Sequence, residues 1–135
     1  MEAAKTKKEA YGYKRELEMP FEAAMERTRE ALKNEGFGVL TEIDMKAKLK
    51  EKLDKDFREY VILGACNPGF AYEALVNDLD IGLLLPCNVV VYAGDSGTVV
   101  TAIDPEMAMS VTGDARLEPI AKQVGEKLRK ALDTI

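Results

Sequence analysis

Two apolar runs constrain the fold of this chain more than anything else in it: Tyr60-Val61-Ile62-Leu63-Gly64-Ala65-Cys66-Asn67-Pro68, and Leu83-Leu84-Leu85-Pro86-Cys87-Asn88-Val89-Val90-Val91. Each is too short to span a bilayer and rich enough in branched residues to form a buried strand. Each also carries one of the chain's 2 cysteines, followed by an asparagine. Tyr60 to Ala65 shows no polar alternation, the pattern of a strand covered on both faces or lying mid-sheet. In the second run Pro86 cannot donate to a ladder, so it implies an edge, a bulge or a break, with Val89 to Tyr92 the more regular part. Together the runs predict the centre of a core.

The rest of the chain reads as elements arranged around that centre. Residues 1 to 9 carry little to bury and read as a flexible lead-in, with one domain over 10–135. Ala10 to Leu17 alternates as a strand, with Tyr11, Tyr13, Arg15 and Leu17 on one side. Pro20 suits a first helical turn, and the helix it opens places Phe21, Ala24, Met25, Thr28, Ala31 and Leu32 on one stripe before Gly36 stops it. Phe37 to Ile43 is a second short strand, and Asp44 caps a helix over 45–55. That helix has a narrow apolar edge at Met45, Leu49 and Leu53; its lysines meet acids at helical spacing, the mark of a solvated face rather than an anion site.

After Cys66, Asn67 is a strong N-cap type and Pro68 a strong first-turn type, so a short helix is predicted over 68–77. Gly94-Asp95-Ser96-Gly97 reads as a hairpin turn and Thr98 to Ile103 as the returning strand. Asp104-Pro105 ends that strand, and Glu106 to Met109 reads as a single turn. Leu117, Ile120, Ala121, Val124, Leu128, Ala131 and Leu132 then form the stripe of a last helix, with Pro119 in its early turn.

Composition removes several function classes. There is no histidine among the 135 residues, which excludes His-based triads, His-ligated metals and the usual general base near neutral pH. Any chemistry rests on Cys, Asp, Glu, Lys, Tyr or backbone. The net charge of −5 is spread along the chain, which argues against a nucleic-acid or anionic-membrane partner. The first residues have charge but no apolar core of the kind a secretory signal needs, and 2 cysteines are too few for a disulfide scaffold, so the expected compartment is the cytoplasm.

The motif Leu63-Gly64-Ala65-Cys66-Asn67-Pro68, followed by Gly82 to Tyr92 with its Pro86-Cys87-Asn88 and then by Asp104-Pro105, resembles the domain of unknown function 302 family. The resemblance covers nearly the whole chain from about Tyr11. It implies an α+β, two-layer fold: a curved, mostly antiparallel five-stranded sheet with two main helices on one face. The order is β-α-β(4)-α, TATA-binding-protein-like, with short inserted helices, commonly as a homodimer. The helices at 45–55 and 68–77 would be those insertions. No activity comes with the resemblance.

The candidate chemistry gathers at the same motifs. A strand end feeding a helix start puts Cys66 beside free backbone N–H groups, a recognised route to a reactive thiol; the plainer reading of Cys66 and of Cys87 is a small packed hydrophobe. Asn67 and Asn88 satisfy local backbone groups or a ligand, and Asp104 before Pro105 is most simply a turn former. Cys66, Asn67, Cys87, Asn88 and Asp104 are therefore the candidate ligand-binding residues, with no metal site assigned and no cofactor identified. They point to a small cytoplasmic protein, homodimeric as its strand-rich edges and the resemblance imply, that binds a small molecule or a protein near the two Cys-Asn pairs. The alternative is a thiol-based redox protein, or a handler of a thiophilic metal, using Cys66 and Cys87, with Met107 and Met109 as further soft donors. Were the strands parallel, the two thiols would be level and could form a redox or metal pair; the antiparallel meander that the resemblance implies, with Gly82 to Cys87 as strand, instead places Cys87 several residues beyond Cys66, with Cα atoms past the roughly 7 Å limit for a disulfide.

Overall fold

In the computed structural model, which describes residues 5–135, the strands are β1 (Lys7–Lys8), β2 (Gly12–Leu17), β3 (Gly38–Asp44), β4 (Tyr60–Cys66), β5 (Cys87–Ala93) and β6 (Thr98–Ile103). They form one sheet in the order β1-β2-β6-β5-β4-β3, antiparallel at every pairing. The helices are α1 (Phe21–Asn34), α2 (Met45–Leu53), α3 (Pro68–Asn77), α4 (Pro105–Ser110) and α5 (Glu118–Asp133), with 3₁₀ turns at Leu79–Leu84 and Ala115–Leu117. The two apolar runs lie side by side as β4 and β5, with β3 and β6 outside them. Missing polar alternation in Tyr60 to Ala65 thus marks a mid-sheet position.

Strand alternation sends Tyr13, Arg15, Leu17, Leu63, Ala65, Val89, Val91, Val100 and Ala102 to one face, where all are buried. Both long helices, α1 and α5, pack on that face and on each other. The α1 stripe buries Ala24, Met25, Thr28, Ala31 and Leu32, and α5 buries Ile120, Ala121, Val124, Leu128, Ala131 and Leu132. Arg15 is tolerated in this layer because its Nη1 donates to the Leu132 carbonyl at 2.5 Å, serving a carbonyl in the last turn of α5. At the end of α1, Gly36 takes φ +86° and Phe37 N–H returns to the Leu32 carbonyl at 2.9 Å, so the chain reverses into β3.

Three expectations change. The sheet has six strands, not five, because Lys7 and Lys8 pair with Lys14 and Tyr13. Two lysines carry no strand signal; what holds them is tertiary, a Lys8–Asp104 ion pair at 2.9 Å beside a buried Thr6. Of the expected lead-in, residues 1–4 lie outside the described residues. Next, the segment before Pro86 is no strand: Asp78 accepts from Asp80 N–H at 3.0 Å and starts a 3₁₀ turn anchored by buried Ile81, and the ladder begins only at Cys87. Finally, Glu106 to Met109 belongs to a longer helix, α4, because Asp104 accepts from both Glu106 N–H (3.0 Å) and Met107 N–H (3.4 Å). The helix α3 lies where the sequence places it, α2 starts as expected but ends at Leu53 rather than at 55 because Asp54 turns to φ +52°, and Asp44 caps α2 by accepting from Ala47 N–H at 3.0 Å.

The β5–β6 hairpin is closed by Gly94 N–H donating to the Gly97 carbonyl at 2.8 Å. A Cβ placed on Gly97 would sit 2.2 Å from the Leu17 carbonyl oxygen at the end of β2, and backbone there cannot swing aside. Gly97→Ala is expected to lower stability by about 1–3 kcal/mol, seen as a lower urea midpoint at unchanged m-value. An unchanged midpoint would mean that β2 and the hairpin do not approach this closely in solution.

Candidate functional site

At one end of the sheet β4 finishes, β5 starts, β6 finishes and β2 starts, so α3 and α4 both leave from the same place. Both cysteines are there. Ala65 pairs directly with Cys87, which leaves Cys66 one residue along. A strand spacing of about 4.8 Å and a rise of about 3.3 Å put the two Cα atoms roughly 6 Å apart, not beyond the bridging limit. The expected offset fails because the residues before Pro86 form a 3₁₀ turn instead of advancing as strand. Both thiols are nonetheless free. Cys87 shares the helix-covered face with its partner Ala65, and Cys66 is the last residue of β4. Cys87 is buried and Cys66 half-buried, and burial, with Cys66 nearby, pushes the Cys87 thiol up from 9.0 to about 11.

Between α3, α4 and α5 lies a small apolar chamber of about 20 Å³, lined by Phe37, Cys66, Asn67, Cys87 and Met109 among others. That volume holds about one water molecule and no larger ligand. Of the five candidate residues, three therefore share a chamber and two do not. Asn88 is exposed, opposite Gly64 on the uncovered face of the sheet. Asp104 is 3% exposed and committed to capping α4 and pairing with Lys8. Asn67 holds the N-cap position of α3, but its side chain does not cap it: Nδ2 donates to the Glu35 carbonyl at 3.3 Å, tying the β4–α3 junction to the end of α1. Among the described residues no group of three His, Cys, Asp or Glu side chains is placed to hold a metal ion.

A far larger hollow opens on the other side of Met109. Residues of α4, the 3₁₀ turn at Ala115–Leu117 and the start of α5 enclose a cleft of about 590 Å³. Its floor is apolar, with Met109 (6% exposed), Leu117 (1%) and Ala121 (1%), and Glu106, Ser110, Glu118 and Lys122 stand around it. Met109 is thus a wall common to cleft and chamber. Among the described residues the side chains of Glu118 and Lys122 make no hydrogen bond or ion pair. Asp114 is already engaged: Arg116 donates to it through Nε (3.0 and 3.2 Å) and Nη2 (2.7 Å), holding its carboxyl below the usual range. Gly113, at φ +69°, turns the chain between α4 and that pair. Residue spacing does not reveal this cleft, since it exists only because α4 folds back along α5. The available signals were Asp104-Pro105 as a helix start and Gly113-Asp114 as a turn, both local.

Comparison with known proteins adds the following. Residues 13–135 match the family model described as domain of unknown function DUF302. The crystal structure of an uncharacterized conserved DUF302 protein from Bacillus stearothermophilus is similar, at 35% identity and a TM-score of 0.87, covering 93% of this chain and 98% of that one. No curated protein matches the chain.

The raised thiol sets a pH dependence whose sign follows from proton counting. Between pH 9 and 11 unfolded Cys87 has lost its proton and folded Cys87 keeps it, so stability is complete below about pH 9 and falls as pH rises to about 11. The expected loss is about 2–3 kcal/mol. Urea unfolding across that interval should show the Cys87→Ala variant losing less stability than the wild type; parallel losses would place Cys87 in a solvated site.

Proposed function

The chain belongs to the DUF302 family, a domain of unknown function, and we propose that it is a cytoplasmic, homodimeric module that binds a small molecule at the end of the sheet where Cys66, Asn67 and Cys87 lie. The ligand sits in the cleft between α4 and α5 and not in the thiol chamber behind it. One observation carries this reading: a cleft of about 590 Å³ with an apolar floor, and with Glu118 and Lys122 unpaired around it among the described residues. Its volume falls in the range of small-molecule sites, roughly 300–1,000 Å³, where a few polar groups orient a ligand held mainly by apolar contact. Two carboxylates, Glu106 and Glu118, against one ammonium, Lys122, favour an amine attached to a small apolar body.

Thiol chemistry at Cys66 and Cys87 is less well supported: both line the small chamber, but Cys87 is buried there and burial favours its protonated form over the thiolate that such chemistry needs. We also read the core strands with the two helices packed on them, β2-α1-β3-β4-β5-β6-α5, as the TATA-binding-protein-like β-α-β(4)-α order; the antiparallel sheet with two long helices packed on it supports that reading.

Short alkylamines and the matching alkyl carboxylates, titrated into isotope-labelled protein, test the site by amide shifts. Amines should shift residues 106–122 saturably, carboxylates should not, and Glu106→Gln with Glu118→Gln should weaken the amine by about tenfold or more. Equal response to both series, or shifts centred elsewhere, would refute an acidic-rimmed amine cleft.

A further inference from the structure

The helix α3 and the 3₁₀ turn after it pack on each other and present large apolar side chains to solvent: Tyr72 is 70% exposed, Val76 66%, Leu79 86% and Leu83 88%. Nothing in the cleft reading uses them. Together they expose on the order of 500 Å² of apolar surface, the upper end for a monomer that needs no partner there. The surface is also preformed: Ala74 and Ile81, each 1% exposed, anchor its underside, and Arg116 Nη2 donates to the Asn77 carbonyl at 3.2 Å where helix passes to turn. Docking on it costs little ordering.

We infer that this surface is where two copies of the chain meet, an inference that rests on the homodimer in the proposed function and names its interface. Area argues for a second copy, since two such patches together bury on the order of 1,000 Å², about what a specific interface requires. Charge argues against the other large occupants. The acids beside the patch are Glu73, Asp78 and Asp80, against one cation, Arg116, that is already paired with Asp114, so the margin is net acidic and repels anionic membranes and nucleic acid. Across a two-fold axis the apolar centres meet each other and the acids repel at the rim, so association should tighten with added salt, opposite to the response of a contact made by charge attraction.

Sedimentation velocity of the full chain at micromolar concentration, in low and high salt, reads this directly. The wild type should be a dimer that tightens with salt, and Val76→Glu with Leu83→Glu should weaken it by about 100-fold or more. Both side chains are exposed, so the variant should keep wild-type circular dichroism and thermal unfolding; Leu79→Ser is a milder change that should weaken the dimer in the same direction. A dimer unaffected by these changes would overturn this surface and leave the homodimer standing. A wild-type monomer would overturn both, without touching the cleft, whose test is amine binding. Binding of the monomeric wild type to anionic vesicles, lost in the double variant, would assign the surface to a membrane and overturn the inference.

Discussion

Everything at the functional end of the molecule depends on the pairing of β4 with β5. Leu63, Val89 and Val91 are 0% exposed at the centre of that pairing, so the register that opposes Leu63 to Val89 is held by burial as well as by the ladder. Slipping by one residue would turn all of these side chains to the uncovered face. The same register brings the end of β4 level with the start of β5. From that level α3 departs on one side, and β6 delivers Asp104 and α4 on the other.

Met109 links the frame to function. It is buried between the one-water chamber at the cysteines and the cleft beside α5, so the packing that closes the first shapes the floor of the second. The sheet frame is built to stay as it is, with both long helices on one face. The cleft walls are made of shorter pieces: α4 has six residues and the turn at Ala115–Leu117 three. Short elements held by side-chain caps are the least costly part of a fold to adjust around a ligand.

Much of this was legible in the sequence wherever the signal was local. The α1 and α5 stripes, the Asp44 cap, the Pro68 start of α3 and the Gly94–Gly97 hairpin all follow from spacing or from a residue's backbone preference. What was not legible was tertiary. Lys7 and Lys8 join the sheet through Asp104, almost a hundred residues away, and no pattern in two lysines announces it. Leucines before Pro86 have strand composition, yet Asp78 and the proline's missing N–H confine them to a turn, and that brings Cys87 opposite Ala65, one residue from Cys66. Of the five candidate residues, Asn88 and Asp104 stand apart from the chamber: Asn88 is exposed opposite Gly64 on the uncovered face of the sheet, and Asp104 caps α4. The cleft has no signature in residue spacing because Glu106 and Glu118 are brought together only by α4 folding along α5.

Hydrogen exchange with and without a saturating alkylamine tests most directly whether a rigid sheet bears a cleft that can take a ligand. Exchange should be slowest at 61–65 and 89–91, unchanged by the amine, with protection gained within 106–122. Slowest exchange outside β4 and β5, or amine protection spread over the sheet or confined to the Gly94–Gly97 turn, would contradict that arrangement.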